Sequence, residues 1–341
     1  GMVLLPIALA LGYQTIRTGQ GYFWATLFLS VTLMSHLLYG YMAFVTLGFL
    51  AFIPNPDIKS SVQAIFAHWK RLLLVFGLVV CVTLYFMVPF LLDQEHFGKT
   101  VGNTEQITIN SFGFWVVLEA LVKGDLFDFG RFPSISILIF GGIGTCIFYR
   151  RESQYRVPIL IFVIWLLMFF GRTTWGSAID LLPFSQDIHM HRFIGGVHLG
   201  GIFLAAAALA VPLRWAVKRG NRWYIAAVLL LTLLLLAPAY VERTTYLSDN
   251  AATKRENQAG LKAEQTDMDN LIKTLQALPP GRVYAGLSTA SGEGRWGFQY
   301  KFGSVPVALI LGAAGLDIFS TTLHQYSLIS NALEPFNESS L

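Results

Sequence analysis

The sequence has little charge for its length. Asp, Glu, Lys and Arg make up 13% of the 341 residues, whereas hydrophobic residues make up 54% and the mean hydropathy is +0.56. A soluble domain carries about 25% charged residues. This deficit excludes a soluble enzyme with a large core and predicts a chain whose solvent is the lipid bilayer.

Cysteine and several enzyme motifs are also scarce or absent. Cys81 and Cys146 each lie inside an apolar run, so we expect buried apolar residues and neither a disulfide nor a CxxC metal site. The sequence has no Walker A motif, which argues against an ATP-driven pump, and no GxSxG or HExxH motif of hydrolases. Aromatic residues are not interleaved with the basic ones, so we expect no nucleic-acid partner.

Long apolar runs dominate the chain instead. A transmembrane helix needs about 20 apolar residues. The first run is long enough for one tilted helix or for two short helices broken near Ser35 and His36. We therefore predict an all-α polytopic membrane protein with about six to eight transmembrane helices within residues 1–241. The predicted spans lie near residues 22–53, 72–92, 132–149, 157–171, 193–213 and 223–240.

Lysine and arginine gather in three loops between these runs. The loops fall on one side of the membrane when the five clear spans are counted as crossings, and the positive-inside rule makes that side cytoplasmic. The opposite side then receives residues 93–131 and 172–192 and everything after Glu242, which predicts a multi-pass protein of the cell membrane. The basic residues are Lys59, Lys70, Arg71, Arg150, Arg151, Arg156, Arg214, Lys218, Arg219 and Arg222.

The composition changes after Glu242. Residues 253–278 place apolar side chains at helical spacing until two prolines and a glycine follow, and residues 282–287 and 305–311 have the composition of strands. The sequence therefore predicts a soluble extracytoplasmic α/β domain over residues 242–341. Because the chain opens inside an apolar run too short to span and closes without a terminating element, we expect a fragment that lacks its N-terminal part and an incomplete outer domain.

One polar segment lies directly before the long apolar run of residues 193–213. It contains Asp187, His189, His191 and Arg192, which provide a carboxylate, two imidazoles and a guanidinium. Arginine binds phosphate through two hydrogen bonds, and the free N–H groups of a helix start also favour phosphate. We predict substrate binding here. A metal site, for which HxH offers few ligands, and an interfacial loop without a ligand are the alternatives.

Two further residues are predicted to contribute to substrate binding. His198 lies seven positions after His191, so it is roughly on the same helical face, inside the apolar run. It is either functional or a neutral imidazole bonded to a neighbouring helix. Arg172 shares an outer loop with Asp180, and the two residues face a polar substrate or pair with each other or with water.

Two other patterns have a structural and a functional interpretation. Asp125 and Asp128 could bind a divalent cation through oxygen atoms, or they could line an ordinary solvated loop. We predict neither a resident metal nor another cofactor, although a divalent cation remains an alternative. The spacing of Gly196 and Gly200 is typical of close helix packing in membranes.

Short sequence elements carry a resemblance to a known group. Together they resemble polytopic membrane glycosyltransferases of the GT-C type, with the nearest likeness to the prokaryotic membrane family labelled "6-pyruvoyl-tetrahydropterin synthase-related". The likeness covers nearly the whole chain. The elements are Ser35-His36-Leu37-Leu38-Tyr39-Gly40, Leu182-Pro183-Phe184, His191-Arg192-Phe193 before a Gly/Ala-rich helix, and Gly281-Arg282-Val283-Tyr284.

The resemblance implies transfer of a sugar from a polyprenyl-phosphate carrier on the extracytoplasmic face, for cell-surface glycan assembly. It implies that Arg192 holds the lipid phosphate and that His36 matches the histidine of the SH-containing span. The catalytic acid of such enzymes lies upstream of this chain, so no residue is assigned as the base. The expected partners are the bilayer and the lipid-linked sugar; a glycan flippase and a non-catalytic scaffold are the alternatives.

Overall fold

A computed structural model describes residues 3–54, 61–92, 109–183, 185, 188–285, 300–303 and 305–319. Contacts between residues divide the chain into two compact units. The first unit comprises residues 1–90 and 104–240, and the second comprises residues 91–103 and 241–341.

The described part of the first unit is built from helices. Two short 3-10 helices, Gly176–Leu181 and Met190–Phe193, lie in the loop before the penultimate long helix. The α-helices are α1 Leu5–Thr18, α2 Tyr22–Ser35, α3 Leu37–Leu50, α4 Ser61–Leu92, α5 Phe114–Lys123, α6 Asp125–Asp128, α7 Ser134–Phe148, α8 Ser153–Phe169, α9 Arg172–Trp175, α10 Ile194–Arg219 and α11 Arg222–Ala263, which continues past the unit boundary.

Three helical segments among the described residues are long and apolar enough to cross a membrane: Ser61–Leu92, Met190–Arg219 and Arg222–Ala263. The number rises to four if α8 and residues Arg172–Leu181, bent by 74°, form one span. Helices α2, α3 and α7 are apolar but shorter. A mainly helical chain with apolar spans is therefore confirmed, while the six to eight crossings stay a prediction.

The apolar run 22–53 forms two helices, the second of the two predicted alternatives. His36 separates them with an extended backbone (φ −168°, ψ 110°), although its N–H still donates to the Thr32 carbonyl. A Cβ on Gly40 would lie 2.7 Å from the Leu33 Cα. In one straight helix, residues seven apart lie about 10 Å apart. Helices α2 and α3 therefore form a sharply bent pair with His36 at its corner.

Helix α10 packs along both α7 and α8. A Cβ on Gly196 would lie 2.3 Å from the Trp165 indole, and one on Gly200 would lie 2.5 Å from the Phe162 Cα. The predicted packing role of these glycines is confirmed, because only the absence of a side chain allows the helices to come this close.

Basic residues connect several helix ends at one end of the first unit. Arg71 of α4 donates to the carbonyls of Ile16 and Arg17 at 2.9 and 2.6 Å, where α1 ends. Arg17 in turn donates to the Ser153 hydroxyl at 3.2 Å, where α8 begins. We call this region the arginine-rich end; its assignment to the cytoplasm stays a prediction.

The described part of the second unit is small. Helix α12 (Gln265–Ala277) follows α11, so the helical pattern of residues 253–278 is present in two pieces that end before the prolines. The other elements of this unit are β1 Val283–Tyr284, β2 Lys301–Phe302, β3 Val305–Pro306, α13 Val307–Ala313 and β4 Ile318–Phe319. Strand β1 pairs in parallel with β4, and β2 pairs antiparallel with β3.

The strand predicted over residues 305–311 is wrong beyond Pro306, because the chain continues as helix α13. A short apolar run reads equally as a buried strand or a buried helix. Val307, Ala308 and Leu311 have helical spacing and form the buried side of α13 against α12. With strands of two residues each, a complete α/β domain stays a prediction.

Candidate functional site

The corner of the α2–α3 pair meets the loop that precedes α10. The His36 ring lies 4.6 Å from the Tyr39 ring, and a Cβ on Gly195 in the first turn of α10 would lie 3.6 Å from Tyr39 Cε1. His36 therefore lies near the segment that contains His189 and Arg192. The rings of His189 and His191 lie with their centroids 5.9 Å apart. We call His36, His189, His191 and Arg192 the histidine–arginine cluster.

Apolar packing next to the cluster positions its two halves. Phe193 is fully buried directly after Arg192, and its ring stacks on Tyr41 of α3 with a centroid distance of 6.4 Å. The Phe193 ring also lies 5.2 Å from the Trp165 ring of α8. Trp165 Nε1 donates to Thr46 Oγ1 of α3 at 2.9 Å. These contacts hold α3 and α8 against the start of α10 and so bring the two parts of the cluster together.

The electrostatics of the cluster favour an anionic ligand. His36 and Arg192 are exposed, whereas His189 and His191 are partly buried. Burial lowers the pKa of His189, and the nearby charges of Arg192 and His191 lower this pKa further. An arginine stays protonated at any physiological pH. The fixed charge of the cluster is therefore positive, and imidazole N–H groups beside it can donate to the same oxygen atoms.

The metal interpretation gains no support from the geometry. Among the residues with a described position, no three histidine, cysteine, aspartate or glutamate side chains are placed to hold one ion. Asp187, which the sequence groups with the cluster, lies outside the described residues. Its predicted contribution stays a prediction.

Arg172 holds the loop that leads into the cluster. Its Nη2 donates to the Ser185 carbonyl, and Ser185 Oγ donates to Asp180 Oδ1 at 3.3 Å. Arg172 and Asp180, which the sequence suggested as a pair, are thus linked through Ser185. Arg172 Nη1 is buried and makes no hydrogen bond to a described residue.

His198 bonds to a neighbouring element. Its Nε2 donates to the Leu126 carbonyl at 2.9 Å, and its ring lies 5.3 Å from the Phe127 ring. Of the two predicted alternatives, this geometry matches the imidazole that bonds to a packed neighbour. A role of His198 in substrate binding stays a prediction.

Asp128 caps a helix. Its Oδ1 accepts the Ile135 N–H at 3.0 Å and its Oδ2 accepts the Ser136 N–H at 2.8 Å, while the residue is 1% exposed. An aspartate at this place satisfies N–H groups that have no partner within the helix. Since both oxygen atoms bind the start of α7 and Asp125 is exposed, the geometry favours a structural role for Asp128.

No pattern in the sequence indicates the hydrogen-bonded clamp between residues 111–114 and residues 169–174. Ser111 Oγ donates to the Phe169 carbonyl at 2.5 Å, and Thr173 Oγ1 donates to the Ser111 carbonyl at 2.8 Å. The Phe114 N–H donates to Thr174 Oγ1 at 2.8 Å. This clamp joins the start of α5 to α9, which carries Arg172. Serine and threonine in loops have no periodic pattern that marks such a contact.

Comparisons with known proteins do not place the chain in a family. A scan against protein-family models, a search of the curated proteins and a search of the solved structures each found no match. The resemblance to GT-C glycosyltransferases therefore depends on the short sequence elements and stays a prediction.

Proposed function

We propose that the protein binds a polyprenyl-phosphate-linked sugar at the histidine–arginine cluster and transfers the sugar as a GT-C-like membrane glycosyltransferase. The observation that carries this proposal is the meeting of two segments that are far apart in sequence. Tyr39, whose ring lies 4.6 Å from the His36 ring, would lie 3.6 Å from a Cβ on Gly195, three residues after Arg192. His36 and Arg192 belong to the elements that resemble the GT-C group. Their proximity provides a cationic site of the kind that a lipid phosphate requires.

Apolar surface beside the cluster supports a lipid-linked substrate. Val31 and Met34 of α2 are exposed within the last turns before His36, and Tyr85 of α4 donates to the Met34 sulfur at 3.3 Å. A polyprenyl chain can lie along such side chains while its phosphate contacts Arg192. Apolar lining with a few placed polar groups is typical of small-molecule sites.

Two buried polar groups also support a ligand in this region. The Tyr41 hydroxyl next to Phe193 and Nη1 of Arg172 make no hydrogen bond to any residue that the structure describes. Buried polar groups are rarely left unpaired in folded proteins, since each costs free energy. A bound substrate or ordered water would complete their bonding.

The proposed orientation places the cluster on the extracytoplasmic side of the cell membrane. Helix α8 begins at the arginine-rich end and reaches the cluster region through Trp165 and Phe193. The positive-inside rule assigns the arginine-rich end to the cytoplasm. The proposal includes the six to eight crossings and an extracytoplasmic second unit.

In this proposal Arg192 stabilises the leaving group. The acceptor hydroxyl attacks the anomeric carbon, the bond from that carbon to the phosphate oxygen breaks, and the electron pair stays on the phosphate. The negative charge that develops there is stabilised by a guanidinium already in place. The hydroxyl proton goes to a base that is not assigned within this chain.

The test is substitution of Arg192 in the purified, membrane-embedded protein. Arg192→Gln should lower transfer from a polyprenyl-phosphate hexose about 100-fold, because removal of one donor to a developing anion costs about that much. Arg192→Lys should retain part of the activity. Lys123→Gln serves as the matched loss of one exposed positive charge and should leave transfer unchanged.

The outcomes separate the alternatives. Unchanged transfer by Arg192→Gln would remove Arg192 from the site. Arg192-dependent binding of the lipid-linked sugar, without any transfer product from the wild type, would favour the flippase. A wild type that neither binds nor transfers the lipid-linked sugar would favour a scaffold.

A further inference from the structure

An open groove lies between the end of α3 and the start of α8, at the arginine-rich end. Its cavity volume is about 490 Å³, within the range of sites that hold small ligands. Phe52 is 54% exposed and Val163 is 42% exposed at the groove, so large apolar side chains face outward. The apolar lining includes Phe49, Phe52, Ile53, Ile159, Leu160 and Val163.

Among the described residues that line the groove, Arg156 alone is charged. Its Nε donates to the Arg150 carbonyl at 2.7 Å and its Nη2 donates to the Arg151 carbonyl at 3.0 Å. These bonds fix the guanidinium but do not neutralise it, because carbonyl groups carry no net charge. Within the described ranges, no carboxylate forms an ion pair with Arg156.

The residues just before and at the start of α8 add positive charge near Arg156, which an external anion would balance. Residues 150–156 contain three arginines and one acidic residue, Glu152. Helix α8 begins at Ser153, so the partial positive charge of its N-terminus lies among these arginines. Cations at this end of a helix are unfavourable unless an anion neutralises them. The groove thus combines an apolar lining with Arg156, and Arg150 and Arg151 lie just before the same helix.

We propose that this groove binds an anionic phospholipid, with an acyl chain along Leu160 and Val163 and the phosphate at Arg156. The proposal rests on the proposed membrane location but not on substrate binding by the histidine–arginine cluster. A lipid matches both properties of the groove, because its chain is apolar and its headgroup is negative. Basic pockets at the membrane surface recognise anionic headgroups in the same way.

The experiment measures lipids retained by the purified full-length chain with native mass spectrometry, using phosphatidylglycerol and phosphatidylcholine of identical acyl chains. The wild type should retain phosphatidylglycerol preferentially. Arg156→Gln should weaken phosphatidylglycerol binding about fivefold, the effect of one basic residue near the surface, and leave phosphatidylcholine binding unchanged. Leu160→Trp, which fills the groove, should reduce the binding of both lipids.

Matched controls make the result specific. Lys218→Gln removes one exposed positive charge from the last turn of α10 and should leave the preference unchanged. Arg192→Gln should also retain it, so failure of the proposed sugar transfer and failure of the lipid site are seen separately. Equal retention of the two lipids by the wild type, or an unchanged preference in Arg156→Gln, would overturn the proposal. The Arg156 comparison decides the matter even where Leu160→Trp does not fold.

Discussion

At the scale of single residues, the charged and polar side chains of the first unit divide by what they bond to. Asp128 and His198 are satisfied by backbone groups of neighbouring elements. His36 and Arg192 are exposed and share a region whose fixed charge is positive. The first pair therefore stabilises packing, whereas ligand binding by the second pair stays a prediction.

The lowered pKa of His189 predicts a pH dependence of stability. Above about pH 6.5 the imidazole is neutral in both the folded and the unfolded state, so His189 adds no slope. Below that pH the unfolded chain binds the proton first, because the folded-state pKa is lower. The free energy of unfolding therefore falls with falling pH until the folded state is also protonated.

His189→Gln should remove this contribution. The measurement is the thermal unfolding midpoint of both proteins from roughly pH 8 to pH 5. The difference between wild type and variant should be constant above pH 6.5 and should change below it in the variant's favour. Parallel curves over the whole range would show that His189 does not titrate differently in the folded protein.

The cap formed by Asp128 predicts a loss of stability on substitution. Asp128→Ala should lower the free energy of unfolding by about 1–2 kcal/mol, because two N–H groups at the start of α7 lose their acceptor. Asp128→Asn, which keeps one carbonyl oxygen, should cost less. The measurement is thermal or denaturant unfolding in detergent.

The exposed Asp125 supplies the control for this cap. Asp125→Ala should leave the unfolding midpoint nearly unchanged. The structural role would be wrong if added Mg²⁺ or Ca²⁺ stabilised the wild type and both substitutions abolished that effect equally. Such a result would identify the two aspartates as cation ligands.

How far the sequence predicts single residues depends on where their partners lie. Arg192 and the histidines are recognisable from their position before an apolar helix. The partner of His198 is a carbonyl of α6 and the partners of Asp128 are N–H groups of α7, and only the tertiary arrangement brings these together. For that reason the sequence left both residues with two alternatives.

At the scale of elements, the α2–α3 pair determines where His36 lies. Gly40→Ala should open this pair, because the added Cβ would lie 2.7 Å from the Leu33 Cα and backbone cannot yield as a side chain can. We expect a loss of about 1–3 kcal/mol in the free energy of unfolding, as for other overpacked sites. Binding of the lipid-linked sugar should weaken as His36 moves away from Arg192.

Gly48 of the same helix is the matched control. A Cβ at Gly48 would lie 3.6 Å from the Trp69 ring, which is ordinary contact, and alanine is the better helix former. Gly48→Ala should therefore keep or raise the unfolding midpoint. Equal effects of the two substitutions would show that the bend does not depend on Gly40.

The elements differ in how well the sequence predicts them. Apolar length locates the helices α4, α10 and α11, but it does not decide between one helix and two over the run 22–53, since the run is apolar on both sides of His36. For the run 305–311 the type of secondary structure is ambiguous. Its residues suit a strand or a helix, and contact with α12 decides for the helix.

At the scale of the whole molecule, the two ends of the first unit should face opposite sides of the membrane. Ser177→Cys and Gln154→Cys, each in a chain with Cys81→Ala, place one exposed thiol near each end. An impermeant maleimide should label position 177 in intact cells and position 154 only after permeabilisation. Labelling of both positions in intact cells would contradict the proposed orientation.

Composition predicts the membrane environment of the whole chain, because low charge and long apolar runs are properties of the chain as a whole. The arrangement of the helices depends instead on individual residues. The approach of α10 to α8 depends on single glycines such as Gly196, which meets Trp165. No count of apolar residues contains that information. The sequence alone therefore predicts the membrane environment better than it predicts the arrangement of the helices.

The clamp at Ser111 has a consequence for how the two segments that it joins open. Its hydrogen bonds tie residues 111–114 to residues 169–174, which are distant in sequence. Local unfolding of either segment breaks the bonds of the other, so the two segments form one cooperative opening unit. The amide of Phe114 and those of α9 should therefore exchange hydrogen with solvent together, and any fluctuation that frees Arg172 also loosens α5.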